Sequence, residues 1–171
     1  MPSSTNSNVA VVILHGSYHS PAPFQLLIRQ FASRGIEAHC PHLPTWNLSR
    51  LDVGDVNNPD FDRAPPVGGY PSDSEDVDVV IWALDKLIKQ EGKRVLLAAH
   101  SSGGWVATQA PIPELQLKSR QVAGKPDGLL GLFFLGAFVI PIGESVNTFS
   151  QPEDGTQVTP PFMRFYSKRI P

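Results

Sequence analysis

The segment Val95–Ala107, VLLAAHSSGGWVA, decides the fold, because it predicts a buried strand that turns directly into a helix. Within it, the frame Ala99–Gly103 (AHSSG) has small residues two positions before and two positions after Ser101. A sharp strand-to-helix turn has no room for larger side chains there. The frame therefore predicts that Ser101 is a nucleophile held above a sheet and that the N–H of Ser102 donates to an oxyanion. The simpler alternative is a serine that only caps a helix.

The rest of the chain alternates strands and helices, which predicts a mostly parallel sheet in a three-layer α/β/α sandwich. The β-branched run Val9–Leu14 (VAVVIL) predicts a strand buried on both faces. The other predicted elements are a helix with an apolar stripe from Phe24 to Phe31, a strand at Ile36–Cys40, a helix from Ser72 to Gly92 that begins with a capping box, a strand at Arg94–Ala99, a helix that starts near Ser102 and a strand at Leu129–Ile140. We expect a single domain over residues 1–171, with a long loop at 41–72.

The loop HGSYHS, which begins at His15, follows the first predicted strand and complements the serine turn. In a parallel sheet, the loops after neighbouring strands meet at the carboxyl edge, where active sites lie. An oxyanion hole needs a second N–H from such a loop. His15 and Gly16 lead into the loop, and Ser17 is the predicted donor, with Tyr18 next. A plain glycine turn is the alternative.

The composition is that of an ordinary globular protein, with 41% hydrophobic and 18% charged residues. A net charge of -2 provides no basic surface for nucleic acid or an anionic membrane, so we expect neither partner. The N-terminus lacks the pattern of a secretory signal and no apolar run reaches membrane-spanning length, which favours a cytoplasmic location. Cys40 is the single cysteine, and the histidines beside it have no second ligand cluster, so we expect neither a metal nor another cofactor.

The serine turn and the His-Gly loop together resemble those of the α/β-hydrolase superfamily. The chain is most similar to its small esterase and hydroxynitrile-lyase-like branch, which includes fungal members. The similarity covers Val9 to Val146 and includes the stretch AGKPDGLLGLFFLGAFVIPIGESV after the serine-bearing helix. The resemblance implies a triad in the chain order Ser, acid, His, and a cap that starts within residues 147–171. It also implies two further strands, which would carry the acid and the histidine.

The catalytic base is the open question, since the chain has five histidines and none lies after Ser101. We expect that the sequence is truncated before the segment that carries the acid and the histidine, so that the domain is incomplete at its C-terminus. His19, in the loop after the first strand, is the alternative base, although the resemblance implies a structural role for it. Glu144, which follows the last predicted strand, is the candidate acid, with a solvated loop residue as the simpler interpretation.

These features predict a serine hydrolase that acts on a small-molecule carboxylic ester through an acyl-enzyme on Ser101. The alternatives are a truncated, non-catalytic hydrolase-like protein that binds a small apolar ligand or a partner, and a lyase on the same scaffold. The missing histidine favours weak catalysis or none by this chain. Because the two further strands are missing, Leu129–Ile140 should have an exposed sheet edge, which predicts oligomers or aggregation.

Overall fold

The computed structural model describes residues 8–141 and, beyond them, residues 143, 144, 148, 152, 154 and 156. These residues form a sheet of four parallel strands in the order β2-β1-β3-β4 with flanking helices, which confirms the predicted α/β class. The strands are β1 (Val9–Leu14), β2 (Glu37–His39), β3 (Arg94–Ser101) and β4 (Gly128–Ala137). The helices are α1 (Gln25–Ala32), α2 (Asp73–Asp85), α3 (Gly103–Gln109) and α4 (Leu117–Val122).

The core lies around the two central strands, β1 and β3. The residues of β1 from Ala10 to Leu14 are all at most 4% exposed, as expected of an apolar run between two layers. One face of the sheet packs against α2 and α3 in a cluster that includes Leu84 and Val106. Each fully buried side chain of this size contributes about 1.5–3 kcal/mol relative to an exposed one. Leu14 of β1 pairs with Ala99 of β3, so the loops after these strands lie side by side.

Helix α2 begins as the sequence predicts. The Glu75 carboxylate accepts a hydrogen bond from the Ser72 backbone N–H at 3.0 Å, which satisfies one of the donors at the helix start. The apolar stripe of the helix is buried at Val80 and Leu84. The helix continues into a π-helical turn at residues 86–90, and Gly92 then takes a φ of +67°, which ends it.

Strand β3 extends two residues beyond its predicted end, to Ser101. Ser101 still pairs with Ala137 of β4, after a register shift of one residue. The extra residue in β4 is Gly136, whose φ of +51° is a conformation that glycine adopts readily. This β-bulge lies directly beside the serine turn, where bulges commonly direct a functional side chain.

Three other predicted features differ from the structure. Strand β2 is shorter than Ile36–Cys40, because only three of its residues pair with β1. Strand β4 ends at Ala137 rather than Ile140, since β3 already turns into α3 at that level. The apolar stripe of α1 is only partly covered, and none of the residues of that helix is buried.

The long loop predicted at 41–72 connects β2 to α2 and contains two short 3-10 turns, at Pro44–Trp46 and Leu48–Arg50. Leu43 and Val53 are at most 2% exposed, so the loop has apolar contacts of its own. The predicted start of a cap, at 147–171, lies outside the described residues except for 148, 152, 154 and 156. Within the described ranges, none of the helices has the length and hydropathy that a membrane span requires.

Candidate active site

Ser101 lies at the junction of β3 and α3, where the backbone turns sharply. Its φ is +54°, in the left-handed region that residues other than glycine rarely adopt. Helix α3 begins two residues later, at Gly103. The Ser101 carbonyl accepts a hydrogen bond from the Phe138 N–H at 2.9 Å, which holds the turn against the end of β4. Backbone strain of this kind, about 1–3 kcal/mol per residue, is concentrated at functional sites.

Two glycines allow the loop after β1 to reach this turn. A Cβ on Gly103 would lie 2.7 Å from the carbonyl oxygens of both Leu14 and His15. A Cβ on Gly16 would lie 2.6 Å from the Cβ of Ser101. Because well-packed atoms do not approach so closely, only glycine fits at these positions without a shift of the backbone. Gly16 and the nucleophile candidate are therefore in direct contact.

The backbone and the side chain of Ser17 both donate to one oxygen atom. The Ser17 N–H is 2.7 Å from the Ser102 hydroxyl oxygen, and the Ser17 hydroxyl donates to the same atom at 2.8 Å. The sequence predicts that the Ser17 N–H faces Ser101. In the structure this N–H donates instead to the side-chain hydroxyl of Ser102, the serine that follows Ser101. The structure thus places two donors of Ser17 on one oxygen atom beside the strained Ser101, and that atom belongs to the Ser102 side chain.

The sequence matches the model of the alpha/beta hydrolase family over residues 11–170. The chain belongs to the alpha/beta hydrolase family. The match covers nearly the whole chain, and it agrees with the parallel sheet and with a serine at the strand-to-helix turn after β3.

Solved structures that are similar to this alpha/beta hydrolase share little sequence with it. RedJ, a thioesterase from the prodiginine biosynthetic pathway in Streptomyces coelicolor, is 16% identical with a TM-score of 0.46, and the match covers 78% of this chain and 43% of that chain. An uncharacterized protein from Bacillus cereus ATCC 10987 is 12% identical with a TM-score of 0.46, over 81% of this chain and 36% of that chain. The chain thus spans about two fifths of the length of these structures. No curated protein matches it.

Tyr18 lies in the loop HGSYHS that follows β1, which we call the oxyanion loop after its predicted role, and it has a second strained conformation, with a φ of +63°. Its ring packs against that of Trp46 in the long loop, with the ring centroids 4.6 Å apart. The Tyr18 side chain is nevertheless 75% exposed. The sequence indicates Tyr18 only as an alternative N–H donor. The structure also shows that its ring joins the loop after β1 to the long loop through Trp46.

His15 is fully buried and uses both ring nitrogens in hydrogen bonds. Its Nε2 accepts from the Leu43 N–H at 3.2 Å, so its Nδ1 carries the proton and donates to the Gly16 carbonyl at 3.0 Å. Burial lowers the pKa of His15 below its usual value, and the nearby His42 lowers it further. His15 is therefore a neutral residue that joins the oxyanion loop to the start of the long loop, with no lone pair left for Ser101.

The rings of His19, in the loop after β1, and of His100, in β3, pack against each other. The Nδ1 of His19 donates to the Ser17 carbonyl at 2.8 Å, which leaves the lone pair on its Nε2. His100 packs against the rings of His19 and Phe24, with centroid distances of 6.1 and 6.4 Å, and its own Nδ1 is buried without a hydrogen-bond partner. Among the described residues, no hydrogen bond joins a histidine ring to the Ser101 hydroxyl.

The acidic residues after the serine turn do not contact a histidine ring within the described part of the chain. Glu144 is exposed, and its carboxylate accepts from the Thr148 hydroxyl at 2.6 Å. Asp127 is buried and pairs with Arg120 at 2.5 Å. The described residues thus provide a candidate nucleophile and candidate oxyanion donors, and neither of these two carboxylates is paired with a histidine ring.

Sequence reasoning missed a cleft that the long loop builds beside the oxyanion loop. The cleft has a volume of about 810 Å³, and its walls include Tyr18 and His19 from the oxyanion loop and Trp46 and Phe61 from the long loop. One sequence feature could have indicated the cleft: the proline-rich long loop contains large apolar residues, and a fully solvated linker has no need of such residues. Pattern analysis could not show that these residues face one another.

Proposed function

We propose that this alpha/beta hydrolase is a serine hydrolase of the small esterase type, which cleaves small-molecule carboxylic esters through an acyl-enzyme on Ser101. The observation that carries the proposal is the pair of Ser17 donors, which lie 2.7 and 2.8 Å from a single oxygen atom next to the Ser101 turn. A serine that merely caps a helix requires neither these donors nor a positive φ.

In the proposed reaction, the Ser101 hydroxyl attacks the ester carbonyl, the bond to the alcohol oxygen breaks, and the acyl group stays on Ser101 until water releases it. The carbonyl oxygen becomes negatively charged in the transition state, and the N–H groups of Ser17 and Ser102 stabilise it. Removal of one such donor typically costs about 2.7–4 kcal/mol of transition-state stabilisation. The Ser102 hydroxyl occupies the Ser17 N–H in the free protein, so the substrate oxygen must displace it.

The proton of Ser101 needs an acceptor, and His19 is the candidate within this chain. Its Nε2 has a free lone pair, because its Nδ1 donates to the Ser17 carbonyl. The absence of a hydrogen bond between a histidine ring and Ser101 in the described residues argues for slow catalysis by the 171-residue chain. Triad enzymes that lack one member retain only about 10³–10⁴-fold acceleration over water, mostly from the oxyanion hole and binding.

Covalent labelling tests the nucleophile directly. The protein is incubated with a fluorophosphonate, and the modified peptide is identified by mass spectrometry. We expect a slowly formed adduct on Ser101, which Ser101→Ala abolishes and which Ser102→Ala retains. Ser33→Ala, an exposed serine at the end of α1, is the matched control and should label like the wild type. A label on Ser102, or none on Ser101, would contradict the proposed nucleophile.

The same proposal predicts slow hydrolysis of p-nitrophenyl acetate. Because catalytic groups act as a unit, Ser101→Ala should lower an already slow rate only modestly. If the chain instead turns over rapidly and His19→Ala removes that activity, His19 is the base and our account of slow catalysis is wrong.

A non-catalytic, ligand-binding protein is the second candidate function. The observation that favours it is the same absence of a histidine at Ser101 among the described residues, together with the cleft beside the oxyanion loop. This candidate predicts no adduct on Ser101 at any reagent concentration, while a small apolar ligand still binds. The labelling experiment and a binding measurement therefore separate the two functions.

The setting of the reaction is also a proposal. We propose a cytoplasmic location, with which a single unpaired cysteine, Cys40, is compatible; burial raises the pKa of its thiol to about 12, so the thiol is unreactive. Strand β4 forms one edge of the described sheet, and Phe133 and Leu135 are 53% and 62% exposed on it. We propose that this edge promotes self-association. Sedimentation velocity should then show oligomers that Leu135→Lys disperses, and a wild-type monomer would refute it.

A further inference from the structure

The cleft beside the oxyanion loop has the size of a small-molecule binding site. Its volume of about 810 Å³ falls within the usual range of such sites, roughly 300–1,000 Å³. The residues that line it do not include Ser101, whereas Tyr18 and His19 belong both to the cleft wall and to the loop that carries the Ser17 donors. The cleft therefore shares a wall with the loop that carries the Ser17 donors and lies beside the proposed reaction centre.

The chemistry of the cleft wall selects for an uncharged ligand. None of its fourteen lining residues is Asp, Glu, Lys or Arg. Aromatic rings are provided by Trp46 and Phe61 and aliphatic side chains by Leu48, Leu51 and Val56. A charged group bound here would lose its hydration, and the imidazoles of His19 and His42, when protonated, are the side chains of the wall that could pair with an anion, so binding of a charge is unfavourable. An aromatic ring, in contrast, could stack on these rings, and such pairs contribute about 0.5–1.5 kcal/mol each beyond the buried area.

Hydrogen bonds hold the cleft wall in place without a ligand. Thr45 donates through its N–H and its hydroxyl to the buried carboxylate of Asp76, at 3.0 and 2.5 Å. The Leu43 N–H donates to His15. Because Leu43 and Thr45 are both hydrogen-bonded to buried side chains, the start of the long loop is held in place without a ligand, as is usual for small-molecule sites.

We propose that this cleft binds an uncharged aromatic or branched apolar group of the substrate, with the group packed against Trp46 and Phe61. The assignment of the ligand as a substrate rests on the proposed function of Ser101. Binding of the group itself does not depend on Ser101, because that residue does not line the cleft.

Equilibrium dialysis with two probes of matched size tests the charge selection. The probes are 2-acetonaphthone, an uncharged aryl ketone, and 2-naphthoate, its anionic counterpart. The ketone should bind at least ~10-fold more tightly, since only the anion must lose hydration in the cleft. Equal affinity of the two probes would overturn the proposal without the use of any variant.

Two aspartate substitutions in the long loop locate the binding site. Val56 lines the cleft, whereas Val67 lies in the same loop, is fully exposed and does not line it. Val56→Asp should weaken ketone binding at least ~10-fold, and Val67→Asp should leave it unchanged. Circular dichroism checks that both variants are folded. If the two variants bind the ketone equally well, the ligand lies elsewhere and the cleft is not its site.

A final pair of measurements separates this inference from the proposed function. Ser101→Ala should bind the ketone like the wild type, and the bound ketone should slow fluorophosphonate labelling of wild-type Ser101. Binding that leaves the labelling rate unchanged would overturn the assignment of the ligand as a substrate. A failure of Ser101 to label under any condition would instead refute the proposed function, while the dialysis result would stand.

Discussion

Gly103→Ala is the most direct test of how closely the serine turn packs against β1. The new Cβ would lie 2.7 Å from the carbonyl oxygens of Leu14 and His15. Both atoms belong to the backbone at the end of a strand that is buried on both faces, so neither can rotate away. The substitution therefore forces the start of α3 and the end of β1 apart.

The size of the effect follows from two opposing terms. Overpacking of a close-packed site typically costs about 1–3 kcal/mol. Alanine is a better helix former than glycine by up to about 1 kcal/mol, which offsets part of that cost because Gly103 is the first residue of α3. We expect the free energy of unfolding to fall by about 1–2 kcal/mol, with a Tm lower by roughly 2–8 °C for a chain of this size.

Thermal and urea unfolding, followed by circular dichroism, measure this change. Gly131→Ala is the matched control, because a Cβ at Gly131 of β4 meets nothing within 4 Å. The control should unfold within about 0.5 kcal/mol of the wild type. If Gly103→Ala is as stable as the control, the close approach of the turn to β1 is not real, and the argument for a Ser101 held beside Gly16 loses its basis.

Three further predictions concern hydrogen bonds around the site. Ser102→Ala frees the Ser17 N–H, so Ser101 should label about 3–10-fold faster with a fluorophosphonate, and an unchanged or slower rate would contradict this. Asp76→Ala leaves the Thr45 N–H without its acceptor and should cost about 1–3 kcal/mol in urea unfolding at pH 7. Asp76→Asn should cost less or stabilise, because burial raises the pKa of Asp76; ionisation of the buried carboxyl therefore lowers the unfolding free energy as the pH rises through that pKa, and asparagine avoids this charge while its amide oxygen can still accept from Thr45. Burial lowers the pKa of His15, so the unfolded chain takes up a proton below about pH 6.5 that the folded chain excludes. The unfolding free energy should therefore fall with pH below that value, and the fall should be smaller in His15→Gln.

The serine turn could be predicted because its requirements are local. Small residues two positions before and after Ser101 satisfy the sterics of one turn, and the neighbouring apolar run identifies the strand that leads into it. The contact between the loops after β1 and β3 could also be predicted, because the loops that follow neighbouring parallel strands meet at the carboxyl edge of the sheet. These inferences need only short stretches of sequence and the general geometry of a sheet.

The hydrogen bond from Ser17 to the Ser102 hydroxyl could not be predicted in the same way. It depends on a side-chain rotamer and on the distance between two loops that are 85 positions apart in sequence. The cleft was missed for a related reason, because Tyr18 and Trp46 meet only through the path of the long loop. Local propensity carries no information about such a path. The roles of the histidines could not be predicted either, because His15 is identified as a structural residue only by the two hydrogen bonds of its ring.

The path of the long loop has a consequence for how the protein can change. Most of the cleft wall lies in a single uninterrupted segment between β2 and α2, while the serine turn and its glycines lie elsewhere in the sequence. Exchange of residues 46–61 would thus alter what the cleft accepts and leave the turn untouched. The proposed ligand preference and the proposed chemistry at Ser101 would then depend on separate segments of the chain, which a recombination experiment can exchange one at a time.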